Sequence, residues 1–212
     1  MMKLILSLTL IWTLSSTAEA LQCWRGTGDT KELRSCQCPT ELCSAFGIQA
    51  RLNEYVLLFI GRGCVPISEF SEGTHIISLS YGILTISTSI HVCHTDGCND
   101  ETIIFPGIHD NNLQCFTCDD PFSPVCNQTI QCRGVEDRCY SGIVKGSGNT
   151  TFHSAGCISS NLCEHTSDLK NLYGFEFSHG PKCCGSSFCN SAWSVKLNVM
   201  TLLSGLITLI FY

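Results

Sequence analysis

Seventeen cysteines fall between Cys23 and Cys189 of this 212-residue chain. No other feature limits the fold as much. At that density covalent cross-links stabilise the structure where a hydrophobic core alone would not, provided the compartment is oxidising. Zinc is the other use of clustered thiols, and it wants paired C-x2-C ribbons or mixed Cys/His sets. The spacings here form no such paired ribbons. Which chemistry applies is decided by the two ends of the chain.

The chain opens "MMKLILSLTLIWTLSSTAEA", with Lys3 as a short basic region, Leu4 to Leu14 as an apolar run and Ala18-Glu19-Ala20 as a cleavage site. That is the layout of a secretory signal peptide over residues 1–20. The run is too short to span about 30 Å of hydrocarbon. The other end reads "NSAWSVKLNVMTLLSGLITLIFY". Small residues, a short polar spacer and an uncharged apolar tail make the signal for a glycosylphosphatidylinositol (GPI) anchor over residues 191–212. Asn190 is the expected attachment site, because Trp193 spoils the small triplet that begins at Ser191; Ser191 and Ser194 are the alternatives. The chain is thus expected to enter the secretory pathway and to sit on the extracellular face of the cell membrane, where its thiols oxidise.

Charge excludes one class of partner. Of 12 basic and 18 acidic residues, the two ends take Lys3, Lys196 and Glu19, and no two basic residues are adjacent. An acidic middle without a basic run is not a nucleic-acid-binding surface, nor one held electrostatically to anionic lipid. Two sequons, at Asn127 and Asn149, are expected to carry N-glycans.

The middle of the chain repeats itself. "LQCWRG" at Leu21 matches "LQCFTC" at Leu113, "GRGCVP" matches "SAGCIS", and "HVCHTDGCND" matches "KCCGSSFCN". Between the copies, residues 101–112 hold a Pro-Gly and no cysteine, which reads as a linker. The reading is therefore two homologous domains, 21–100 and 113–190. Each has roughly 78 residues, a size at which covalent ties are needed. Runs such as "YVLLFIGRGCV" and "RCYSGIVKG" are β-branched and aromatic, with glycine punctuation, so the fold class is all-β. The apolar run from His75 to Val92 is read as two strands and a turn around Tyr81-Gly82, not as a buried helix.

Leu-x-Cys-x2-Cys at the start of the second copy and Cys-Cys-x4-Cys-Asn at its end closely resemble the three-finger domain of the lymphocyte-antigen-6/urokinase-receptor family. "GVEDRCY" around Cys139 is also similar to that family's second finger. The resemblance implies the pairs Cys115–Cys139, Cys118–Cys126, Cys132–Cys157, Cys163–Cys183 and Cys184–Cys189, tying three β-hairpin loops at one end. It also implies that Asn99 and Asn190 hydrogen-bond backbone beside each knot. The first copy departs from the pattern. Gly26 stands where Cys118 does, and Phe70 and Val92 stand where Cys163 and Cys183 do. What remains implies Cys23–Cys43, Cys93–Cys98, and Cys64 with either Cys36 or Cys38. Spacing favours Cys36 and the Gln-Cys dipeptide favours Cys38, so the choice stays open. The leftover cysteine is a free thiol, half of a bridge to a second chain, or an oddity of this sequence.

No catalytic constellation emerges. The seven histidines (His75, His91, His94, His109, His153, His165 and His179) are scattered, and no H-E-x-x-H or G-x-S-x-G occurs. "HVCHTD" brings His91, His94 and Asp96 near Cys93, but that cysteine is assigned to a bridge. No enzyme activity and no cofactor or metal is expected. The resemblance implies a cell-surface protein binding an extracellular protein ligand or receptor through its finger loops, and one alternative is a secreted inhibitor similar to the two-domain phospholipase A2 inhibitors. Val56 to Ile60 and the aromatics Tyr173, Phe175 and Phe177 are candidates either for a binding face or for strand packing.

Overall fold

A computed structural model of the chain describes residues 20–119, 125–146, 150–164, 170, 174 and 176–191, with the side chain of His179 left out. The signal sequence, the apolar tail with Ser194, and Asn149, His165, Tyr173 and Phe175 lie outside the described residues. The described part is almost entirely strand, as the all-β reading expects. Its strands are β1 (Gln22–Thr27), β2 (Thr30–Ser35), β3 (Glu41–Leu52), β4 (Tyr55–Pro66), β5 (Gly73–Tyr81), β6 (Leu84–Cys93), β7 (Asp110–Thr117), β8 (Gln128–Arg133), β9 (Arg138–Lys145), β10 (Thr151–Ile158) and β11 (Glu176–Cys184). One short helix, α1 (Ser160–Glu164), follows β10, and a 3-10 turn spans Cys98–Asp100. Strand β7 takes up the last residues of the stretch read as linker.

The chain falls into two compact units whose boundary does not follow the sequence repeat. Unit 1 is built from residues up to Gly47, Phe59–Thr74 and Ile90–Ile103; unit 2 takes Ile48–Leu58, His75–Ser89 and everything from Ile104. The outer parts of the first repeat's second and third hairpins therefore belong to unit 2.

In unit 1 the inner parts of β6, β3 and β4 lie side by side, followed by β1 and β2. Strands β1 and β2 form a tight antiparallel hairpin, with Cys23 opposite Arg34 and Thr27 opposite Thr30. Gly26 sits in it at φ +150°, and a Cβ there would collide with the backbone of Thr30. A cysteine in its place, as in the second repeat, does not fit this hairpin. The core is largely sulfur: Cys23, Cys36, Cys43 and Cys93 are buried, with Leu21, Cys64 and Cys98 packed against them. With so little aliphatic material, the bridges do the restraining, each contributing about 2–4 kcal/mol.

In unit 2 the order is β11, β9, β10, β5, then the outer parts of β6, β3 and β4, with β7 and β8 as a separate ribbon. Its knot is likewise cystine, with Cys115, Cys132, Cys139 and Cys157 buried. The run from His75 to Val92 is two strands around a turn at Gly82, whose φ of +54° suits glycine. Both faces of this hairpin are covered. Ile77 and Leu79 are buried, but so are Ser78, Ser80, Thr85 and Ser87. The polar members explain why the run is apolar on average yet not helical. They are spaced by two residues, so they line one face of a strand. Strand β10 pairs with β5 through Gly156 opposite Tyr81 and Cys157 opposite Ser80. A Cβ on Gly156 would run into the carbonyl of Ser80, so this close approach requires glycine.

Candidate functional site

Eight disulfides tie the bases of the hairpins. They are Cys23–Cys43, Cys36–Cys64, Cys93–Cys98, Cys115–Cys139, Cys118–Cys126, Cys132–Cys157, Cys163–Cys183 and Cys184–Cys189. Of the two candidates left open by the sequence, Cys36 reaches Cys64, and Cys38 is free and exposed. Val92, at the position of a lost bridge, is fully buried. Two sets of three sulfurs are close enough to surround an ion, Cys23 with Cys36 and Cys64, and Cys115 with Cys132 and Cys157. All six sulfurs are oxidised in bridges, so none offers the thiolate that zinc requires.

Each knot is closed by one asparagine with the same pattern of bonds. Asn99 accepts a hydrogen bond from Trp24 N at 2.9 Å and donates to Trp24 O and Ser44 O at 2.9 and 2.7 Å. Asn190 accepts from Phe116 N at 2.9 Å and donates to Phe116 O and Tyr140 O, both at 2.8 Å. In both, the bonded backbone follows the two cysteines of the first bridge. Both side chains are buried. Only an amide has one acceptor and two donors on so short a stem, so neither an aspartate nor a serine side chain could make all of these bonds.

Among the described residues, no histidine belongs to a cluster that could hold a metal. His94, His109 and His153 are exposed. His91 Nδ1 lies 3.2 Å from Thr74 Oγ1. Asp96, counted with them in the sequence, accepts from the backbone of Gln22 at 2.8 Å and so serves the base of β1. Phe177, half-buried in β11, packs edge-on against Tyr140 with ring centroids 6.1 Å apart. Burial pushes the Tyr140 phenol above its ordinary range, opposed by its hydrogen bond to Ser154 at 2.8 Å.

Sequence reasoning did not single out Glu136, which is fully buried in unit 2. Ser78 and Ser80 donate to its Oε1 at 2.8 and 2.6 Å, and Arg133 N donates to Oε2 at 2.8 Å. Desolvation raises its carboxyl above the usual carboxylate range, and these three donors oppose that shift. The signal available in the sequence was the Ser-x-Ser in an apolar strand, a pair of hydroxyls on one face.

The apolar segment of β4 stays largely open to solvent, although Phe59 rests against Phe46 with ring centroids 6.1 Å apart. Tyr55, Val56, Leu57, Leu58 and Phe59 are all exposed, as are Leu52 and Ile83. Asn53 makes the hairpin tip at φ 53°, and its N–H reaches the Ile83 carbonyl, so the tips of two hairpins are joined within unit 2. Asn127 is exposed immediately before β8. Exposed apolar tips are chemically suited to holding another macromolecule.

The u-PAR/Ly-6 domain matches the chain twice, over residues 20–101 and 111–192. The urokinase plasminogen activator surface receptor of Mus musculus is 26% identical over 202 residues, covering 89% of this chain. The chain spans 59% of that relative's length. Against the crystal structure of mouse TEX101 the identity is 16% and the TM-score 0.31, covering 77% of this chain and 97% of that one.

Proposed function

Since the chain belongs to the u-PAR/Ly-6 domain family and carries two copies of that domain, we propose that it is a GPI-anchored cell-surface glycoprotein that binds an extracellular protein ligand or receptor through its finger loops, without catalysis. The observation that carries this reading is the exposed apolar tip, Leu52, Tyr55 to Leu58 and Ile83, on a scaffold fixed by disulfides. The two tips are tied to each other by Asn53 N–H donating to Ile83 O at 3.3 Å, which lowers the conformational entropy lost on binding. The named role of the mouse relative, a surface receptor, is in keeping with it.

The anchor rests on the small residues Asn190 and Ser191 ahead of the apolar tail. Glycosylation rests on the exposed Asn127 and on the sequon at Asn149. Intact cells expressing the full chain are treated with phosphatidylinositol-specific phospholipase C, and the protein is expected to appear in the medium. Retention on the cells counts against the anchor, and constitutive secretion favours the two-domain inhibitor. For the binding role, a cell-surface interaction screen should return a protein whose binding falls when Tyr55 or Leu57 is changed to Asp. Binding indifferent to both changes removes the fingertip from the reading.

A further inference from the structure

We propose that the glycan on Asn127 lays its first N-acetylglucosamine into a cavity of unit 2, beside the apolar tip, and does not stand free in solvent. The proposal rests on the glycosylation at Asn127 read above. The cavity measures about 540 Å³, and all the residues lining it belong to unit 2. One wall is the end of the β7–β8 ribbon, with Cys118 and Asp119 leaving β7 and Gln128 and Thr129 entering β8. The other is the β5–β6 turn, Tyr81 to Leu84, joined by Leu52 from the neighbouring tip. Gln128 and Thr129 are the second and third residues of the sequon itself.

Chain geometry brings the modified residue to this wall. Thr117 pairs with Gln128 across the ribbon, so the register carried one residue further sets Asn127 against Cys118. The Cys118–Cys126 bridge holds that end together, with Cα atoms 4.0 Å apart. One peptide on from Cys126, the Cα of Asn127 lies within about 8 Å of that of Cys118. Asn127 is exposed, as a residue that carries a glycan must be. A sugar bonded there has a high effective concentration at the cavity, whereas any other ligand has to arrive by diffusion. The tether is what favours this occupant.

The lining suits a hexosamine better than an alkyl chain. Such a sugar has one face of C–H groups and a rim of hydroxyls with an N-acetyl amide. Tyr81, Ile83 and Leu84 supply apolar surface, and Ile83 and Leu52 are 64% and 46% accessible. On the ribbon wall the Asp119 carboxylate, the Gln128 amide and the Thr129 hydroxyl are exposed. None of the three makes a side-chain hydrogen bond or ion pair among the described residues. The carboxylate accepts from hydroxyls, while the Gln128 amide both donates and accepts, which an N-acetyl group requires. Apolar surface with a few polar groups to one side is the usual form of a small-ligand site. An alkyl chain would leave those groups unused. With the sugar seated, the Leu52 and Ile83 side of the tip is covered, and a partner protein meets Tyr55 to Leu58.

The test uses the full-length chain, made in cultured cells with high-mannose glycans and read by hydroxyl-radical footprinting with peptide mass spectrometry. Intact protein, and protein trimmed by endoglycosidase H to one N-acetylglucosamine per site, are expected to label equally at Ile83 and Leu84. Asn127→Gln is expected to raise labelling there several-fold while Tyr55 and Leu57 stay as they were. Asn149→Gln, which removes the other sequon, is expected to change none of the four. Equal labelling at Ile83 and Leu84 with and without the Asn127 sugar overturns the proposal. So does an equal rise from Asn149→Gln, or a rise on trimming. A mass that shows Asn127 unmodified overturns both this proposal and the glycosylation at that residue, whereas a modified Asn127 beside a fully labelled Ile83 overturns this proposal alone. If Asn127→Gln fails to reach the surface, peptide-N-glycosidase treatment of the folded native chain decides in its place.

Discussion

At the scale of single residues, amides and one carboxyl settle more than any charge on the surface. Asn99 makes four bonds to backbone, accepting from Trp24 N and donating to Trp24 O, Ser44 O and, at 3.5 Å, Gly63 O. Asn99→Asp keeps the shape, loses both donors and turns a charge toward three carbonyls. We expect a loss of about 2–4 kcal/mol in denaturant unfolding. Glu136 has the opposite character. Its folded-state carboxyl holds the proton to higher pH than the unfolded chain does. The folded state therefore gains stability from this group as pH falls through the folded value toward the unfolded one near 4.3, and loses it as pH rises through the folded value. Glu136→Gln removes that dependence. The stability of the native chain minus that of the variant is expected to grow on acidification and level off below the unfolded value. A difference that is flat with pH would show the carboxylate to be as well solvated in the fold as outside it.

Elements are set here by close approach as much as by propensity. Strand β5 is polar on the face that meets Glu136 and apolar on the other, and β10 reaches it only because Gly156 has no side chain. Gly156→Ala should force the β10–β5 pairing apart. Hydrogen exchange is expected to accelerate across residues 75–81 while residues 22–27 keep their protection, since β1 belongs to the other unit. Much at this scale was legible beforehand. The two-strand reading of His75 to Val92 followed from its Thr, Ser and Ile content, and β4 and β9 from their β-branched and aromatic content with glycine punctuation. Helix α1 was not, because five residues carry no period. The exposure of Tyr55 to Phe59 was not either. Composition says that such a run favours strand, but whether a neighbour covers it depends on how far β1 extends, and that is a matter of tertiary pairing.

At the scale of the whole molecule, the repeat was legible from its cysteines and the compact units were not. Self-similarity reports ancestry and local pattern, whereas the units are drawn by contacts between residues distant in sequence, such as Ser80 and Glu136. The second repeat expressed alone, from Leu113 to Asn190, would lack Ser78 and Ser80. It is expected to be cleaved by a protease under native conditions that leave the whole chain intact, despite holding all five of its own bridges. Resistance equal to that of the whole chain would make the Glu136 contacts dispensable. The shared strands also bear on how such a chain can be rearranged. The linker looks like the natural place to shuffle, duplicate or swap a domain, but a cut there parts a carboxyl from the hydroxyls that satisfy it. Any new neighbour for the second repeat has to supply two donors at the same spacing, so the pair of serines works as a lock on gene-level modularity.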